Sequence, residues 1–201
     1  MTDLFADKAA DYDARPLPQR ISEGVSAALF ARVPLRADQV VLDFGAGTGL
    51  LTGRVAPRVA SVVAVDVSPA MLEQLAAKPE LRGKVETVCR DIVTAPLGRR
   101  FGLIVSAMAM HHVADTAALL RALFEHLEPG GQVALADLDR EAGDFHPHDA
   151  HGVFHHGFDR VALGALLDAA GFVDVRFDTA CDIERDGVRY SIFLVTAARP
   201  A

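Results

Sequence analysis

Cysteine is scarce in this chain, basic charge is outnumbered by acidic charge, and no long apolar run occurs. The 201 residues hold only 2 cysteines. Cys89 and Cys181 are far apart, so they provide neither a disulfide framework nor a paired metal-ligand spacing. Both are expected as reduced core thiols, with Cys89 on a buried strand. The 20 Lys and Arg against 27 Asp and Glu leave a formal charge of −7. That balance argues against a broad nucleic-acid surface, which needs a basic field to neutralise phosphates. One small pocket is not governed by net charge, so a local arginine can still hold a small anion. The longest apolar stretch, Leu103 to Met110, falls far short of the roughly 20 residues that cross a bilayer. The start, Met1-Thr-Asp-Leu-Phe-Ala-Asp-Lys8, lacks the basic-then-apolar order of a secretory signal. A cytoplasmic protein with no membrane and no nucleic-acid partner is expected.

What is present is a layered α/β pattern. An apolar fraction of 51% rules out a disordered chain, and the length suits one domain with a sizeable core. Val40-Val-Leu-Asp43-Phe-Gly45-Ala46-Gly47-Thr-Gly49 reads as a buried strand that ends in an acid and opens into a glycine loop. Glycine at alternate positions permits positive φ and removes the Cβ atoms that would hold a ligand off the backbone. Ser61-Val-Val-Ala-Val-Asp66 repeats the acid-ended strand, followed by a helix capped by Ser68 with Pro69 in its first turn. A carboxylate roughly 20 residues beyond a glycine loop is placed to accept ribose hydroxyls. A nicotinamide dinucleotide shares that geometry. Its fingerprint, however, asks for glycine three residues after the second, where Leu50 stands.

Gly45-x-Gly47-x-Gly49 behind an acid-ended strand resembles the first motif of the class I S-adenosylmethionine (AdoMet) methyltransferases, small-molecule type. The resemblance runs from Tyr12 through Val195 and includes Leu-Glu-Pro-Gly-Gly at 127–131. It implies a Rossmann-like, doubly wound, seven-stranded and mostly parallel sheet of order 3-2-1-4-5-7-6 with the last strand antiparallel. It further implies that Asp43, Gly45, Ala46 and Gly47 pack against the methionine and ribose parts of AdoMet. Asp66 would grip the ribose, Val67 and Met71 would line the adenine, and Asp91 with Ile92 would lie beside the adenine amino group. Ser106 would end the fourth strand at the same site. Residues 1–37 resemble an N-terminal helical lid over a core at 38–201, and Tyr12 and Arg20 are its candidates to close on the methionine. A surface tyrosine and a solvated arginine are the alternative.

Local signals divide the chain further. Helices are expected over Phe5 to Asp13 and Gln19 to Ala31, separated by Arg15-Pro-Leu-Pro18. Third and fourth strands are read at 85–92 and 101–106. Asp115 caps an amphipathic helix from Ala117 to Leu127, with apolar residues at i, i+3, i+4 and i+7. Pro129-Gly130-Gly131 turns into a fifth strand, Gln132 to Leu138. Asp159 and Gly171 bound a last helix, and strands at 172–177 and 190–196 meet at a hairpin near Asp186-Gly187.

Histidine is concentrated near the expected chemistry. His111 and His112 follow the fourth strand, and either is a candidate base for an acceptor that must lose a proton. Alternatively, one shapes the loop and the other faces water. Asp144 to Phe158 carries five of the eight histidines, among them His146, His148 and His156. It reads as a wall of the acceptor pocket, as a plain surface loop, or as a metal site with Asp137 and Asp139. The spacing matches no zinc arrangement, and no metal is assigned. Methyltransferases that act on nucleobase or glutamine amino groups carry Asn- or Asp-Pro-Pro-aromatic after strand four, and here the position reads Ser106-Ala-Met-Ala109. A small-molecule acceptor is therefore expected, handled by a monomer or homodimer. A non-catalytic AdoMet-binding protein and an NAD-dependent oxidoreductase are the rival readings.

Overall fold

A computed structural model describes residues 3–147 and 151–201. Seven strands form one sheet: β1 (Val40–Phe44), β2 (Ser61–Asp66), β3 (Val85–Cys89), β4 (Phe101–Ala107), β5 (Leu127–Leu138), β6 (Val173–Arg185) and β7 (Val188–Ala198). Their order is β3-β2-β1-β4-β5-β7-β6, as expected. The pairs from β3 through β5 are parallel, and β7 runs antiparallel to both β5 and β6.

The β-branched runs become central strands because they are buried on both faces. Side chains alternate between two cores. Val41, Val62, Ala64, Leu103 and Val105 face α2 (Pro16–Arg32), α3 (Leu50–Val55) and α4 (Pro69–Ala76). Leu42, Val63, Val65 and Ile104 face α5 (Thr116–Glu125) and α6 (Arg160–Ala170) through Leu119, Leu120, Leu123, Leu163 and Leu167. All three expected helix caps form. Ser68 Oγ accepts from the Met71 amide, Asp115 Oδ1 from Ala118 and Asp159 Oδ1 from Ala162. The hairpin turn lies at Asp186-Gly187, both at positive φ, the backbone a two-residue turn between twisted strands requires.

The structure corrects several boundaries. The helix expected over Phe5 to Asp13 is broken into a short α1 (Ala6–Ala9) and a tight turn at Tyr12–Ala14. The next helix begins at Pro16, because a first-turn proline loses only an amide that has no helical partner. β5 starts at Leu127, so Pro129-Gly130-Gly131 lies within the strand, opposite a register shift between Phe101 and Leu103. Strand β3 stops at Cys89, and as the sheet's edge it leaves Cys89 exposed rather than buried. Cys181 is half-buried on β6, where its Cβ would lie 2.4 Å from a Cβ added at Gly24 of α2. Among the described residues no helix is long and apolar enough to cross a membrane.

Leu120 is fully buried where α5 meets the sheet. Leu120→Ala is expected to lower the unfolding free energy by about 2–5 kcal/mol, read as a lower urea midpoint at unchanged slope.

Candidate active site at the strand tips

The glycine loop is anchored to the tip of the neighbouring strand. Gly45 and Ala46 donate their amides to the Val65 carbonyl at 2.8 and 3.0 Å, and the Gly47 amide donates to Asp66 Oδ2 at 2.7 Å. Asp66 Oδ1 accepts from the Ser68 amide at 2.9 Å. Burial pushes the Asp66 carboxyl up from its ordinary range, against the amides of Ser68, Gly47 and Val67 that favour its charge. Gly45, Gly47 and Gly49 all have positive φ. A Cβ at Gly45 would stand 2.2 Å from the Ala109 Cβ, whereas a Cβ at Gly47 would meet nothing within 4 Å. The first glycine permits a close approach within the protein, and the second leaves open space beside Asp66.

Asp43 lies beneath the loop, fully buried, and accepts from Thr52 Oγ1 at 2.5 Å. Burial raises its carboxyl to about 7; the Thr52 hydrogen bond opposes that rise and the Asp66 charge adds to it. Met71 and Ile92 are buried, Val67 is exposed, and Ser106 is buried with its hydroxyl given to the Phe44 carbonyl at 2.8 Å. Asp91 is exposed and turned to its own loop, accepting from the Val93 amide and the Thr94 hydroxyl.

The N-terminal segment reaches this site through its acids. Asp3 Oδ2 accepts from the Ser68 hydroxyl and the Ala70 amide at 2.9 and 3.2 Å. Asp13 accepts from the Thr48 hydroxyl and pairs with Lys78. Tyr12 is half-buried and close enough to feel the Asp66 charge; burial raises its phenol first, and Asp13 and Asp66 add to that. Arg20 is exposed on α2, makes no hydrogen bond or ion pair with the glycine loop, and acts electrostatically on Cys181 instead.

Beyond Ala109, three imidazoles and one carboxylate come together. Met108 takes a left-handed φ of 58° after β4, a backbone that L residues rarely adopt, and turns the chain into His111 and His112. His111 Nδ1 is 2.7 Å from Asp137 Oδ1, and both groups are buried. The same carboxylate accepts from the His111 and Leu138 amides at 3.1 and 2.8 Å. Burial works against the charge on Asp137, yet His111 and these amides hold its carboxyl below the usual range. His111 Nε2 is 3.1 Å from His146 Nε2. His112 Nδ1 is 2.7 Å from the Gly152 carbonyl, and its ring meets Phe5 edge-on at 5.0 Å. Burial, then the His111 charge, pushes His112 down to about 4.

The same fold recurs in known proteins. A family model described as a methyltransferase domain matches residues 14–176. The chain belongs to the class I S-adenosylmethionine-dependent methyltransferases. It is 38% identical over 110 residues to an uncharacterised methyltransferase of Mycobacterium tuberculosis, a match covering 54% of this chain and 55% of that protein. It is 31% identical over 169 residues to a trans-aconitate 2-methyltransferase of Methylobacterium radiotolerans, covering 79% and 64%. The chain thus spans a little over half the length of the mycobacterial relative. Among solved structures, the N-methyltransferase NodS of Bradyrhizobium japonicum in complex with S-adenosylhomocysteine superposes with a TM-score of 0.73 at 18% identity, over 99% of this chain and 95% of that one.

For this methyltransferase domain, the structure brings Gly45, Ala46, Gly47, Asp66, Tyr12 and Asp43 together at one place, and leaves Arg20 and Asp91 turned elsewhere. Sequence reading missed Asp137 as the partner of His111, and it missed Asp3 and Asp13. An acid ending the fifth strand, as acids end the first two, was the available signal for Asp137. Asp139, the other carboxylate considered for metal, is held by Arg160 at 2.7 and 2.6 Å. Within the 144–158 segment, His146 meets His111 and His155 lies 2.9 Å from the Val113 carbonyl. His148 lies outside the described residues, and no set of three metal-ligating side chains is gathered among those described.

Asp43 provides a pH test. Its carboxyl is raised from 3.8 to about 7 in the folded chain, so the folded state binds the extra proton between those values. Stability attributable to Asp43 is present below pH 3.8 and is lost as pH rises through about 7. Asp43→Asn is expected to remove that loss, so the stability of the wild type relative to the variant falls across this window in urea unfolding.

Proposed function

We propose that the chain binds AdoMet at the tips of β1 and β2 and transfers its methyl group to a small-molecule acceptor. The observation carrying this reading is the open space at Gly47 beside Asp66. A side chain there would occupy the space that a nucleoside needs, and the half-buried Asp66 carboxylate beside it suits two ribose hydroxyls. Gly45, Ala46 and Gly47 would lie against the ribose and methionine, and Val67 and Met71 against the adenine. AdoMet supplies a methyl group on a positively charged sulfur. The chain's own task is alignment, since holding the reacting atoms in line about 3 Å apart can remove roughly 7–11 kcal/mol of the barrier.

Residues 1–37 act in this reading as a lid over the core at 38–201, supported by the Asp3 contacts with Ser68 and Ala70 and the Asp13 contacts with Thr48 and Lys78. A small acceptor is favoured by the formal charge of −7 and by Ser106-Ala-Met-Ala109 where methyltransferases of nucleobase or glutamine amino groups carry a Pro-Pro motif. The reading places the protein in the cytoplasm as a monomer or homodimer.

Titration calorimetry with S-adenosylhomocysteine tests this directly. The wild type is expected to bind. Asp66→Ala is expected to weaken binding about 10–100-fold, as the loss of a hydrogen bond to a charged group implies. No heat with either AdoMet or S-adenosylhomocysteine overturns the proposal, and heat with NADH alone favours a dehydrogenase.

A further inference from the structure

We infer that Asp137, His111 and His146 form a proton relay that ionises a hydroxyl acceptor, so that the methyl group is delivered to oxygen of an alcohol or phenol. This rests on the methyl-transfer reading above.

Hydrogen-bond chemistry fixes the proton positions along the chain. Asp137 accepts from the Leu138 and His111 amides and is ionised, so His111 Nδ1 carries the proton facing it. A neutral His111 then has a bare Nε2. Two bare nitrogens 3.1 Å apart would repel, so His146 Nε2 carries the shared proton and His146 Nδ1 is left as an acceptor. No hydrogen bond satisfies that nitrogen among the described residues.

His146 alone is a poor base. Burial first pushes it down to about 3, and a positive charge on His111, His112 or Lys8 adds to that. The relay avoids charging it. The hydroxyl proton passes to His146 Nδ1 while the Nε2 proton of His146 passes to His111 Nε2. Positive charge comes to rest on His111, the imidazole of this cluster that touches the Asp137 carboxylate. The acceptor oxygen forms its bond to the methyl carbon, and the carbon–sulfur bond breaks with its electron pair returning to sulfur. The products are the methyl ether and S-adenosylhomocysteine, with the released proton on His111.

The surroundings select the acceptor. Among the described residues, His112, His146 and Lys8 face the cluster, and its carboxylate, Asp137, is spent on His111 and two amides. An ammonium group finds no free counter-ion in this cluster among the described residues, and a thiol ionises near neutrality with no relay. His112 stands outside this chain: its Nδ1 donates to the Gly152 carbonyl rather than to a carboxylate, and its ring meets Phe5 edge-on. His146 is held in reach of His111 from behind, where the Phe145 carbonyl accepts from Arg185 and the Phe145 ring stacks edge-on against Tyr190 at 5.2 Å. The cluster adjoins the cradle because Ala109, two residues before His111, is the residue against Gly45.

Ring-nitrogen NMR of the full chain labelled with 15N-histidine reads the proton positions without turnover. Neutral His111 is expected protonated at Nδ1 and His146 at Nε2, with the His111 pattern lost in Asp137→Asn. The opposite tautomers overturn the relay, and because the wild type carries this readout, a variant that fails to fold leaves the test intact. The second arm supplies AdoMet carrying a 13C-methyl group together with a bacterial small-molecule extract. The carbon shift of the product is expected to report O-methyl, with His146→Gln and His111→Gln each slowing its formation about 10²–10⁴-fold. Label on nitrogen, sulfur or carbon, or no labelled product from protein that binds the donor in calorimetry, overturns this inference. Absence of donor binding overturns the methyl-transfer reading itself.

Discussion

The hydrogen bond from the Gly47 amide to Asp66 is the contact on which the rest of the site depends. It ties the loop leaving β1 to the tip of β2, and it holds only because Gly45 carries no side chain where Ala109 presses against it. Three strand tips are thereby locked into one surface: the glycine loop, the acid after β2 and the turn after β4. A larger residue at Gly45 would push the loop away from Ala109 and break that registration. The cradle and the histidine cluster therefore share one structural origin.

Charge at these tips is arranged by burial. Asp43 and Asp66 lie close together in a low-dielectric layer, and both carboxyls are raised. Asp137, at the tip of β5, is equally buried but is held lower by an imidazole and two amides. In the proposed reading Asp66 accepts from ligand hydroxyls while Asp43 supports it from beneath, and Asp137 holds His111 in place. The strand tips thus hold two electrostatically different compartments, which the proposed reading assigns to a ribose and to a proton in transit. The N-terminal segment, anchored by Asp3 and Asp13, borders the first of them.

What the sequence revealed was local in origin. The central strands were legible from their β-branched runs, the helix starts from Ser68, Asp115 and Asp159, and the hairpin from Asp186-Gly187, because each signal acts within a few residues. The glycine loop and Asp66 were legible through their spacing. Contacts across the chain were not. Asp137 meets His111 from 26 residues away, and Asp3 reaches Ser68 from 65 away. Nothing in an alternating strand shows that it will be an edge, so the exposure of Cys89 was hidden, and Pro129-Gly130-Gly131 carries turn chemistry while sitting in a strand irregularity.

Hydrogen exchange with and without S-adenosylhomocysteine tests most directly whether the strand tips form the cradle. The account predicts slower exchange of the backbone amides at 45–49 and 67–71, with the β6–β7 hairpin unchanged. Unchanged exchange at the glycine loop, or protection confined to the hairpin, would contradict it.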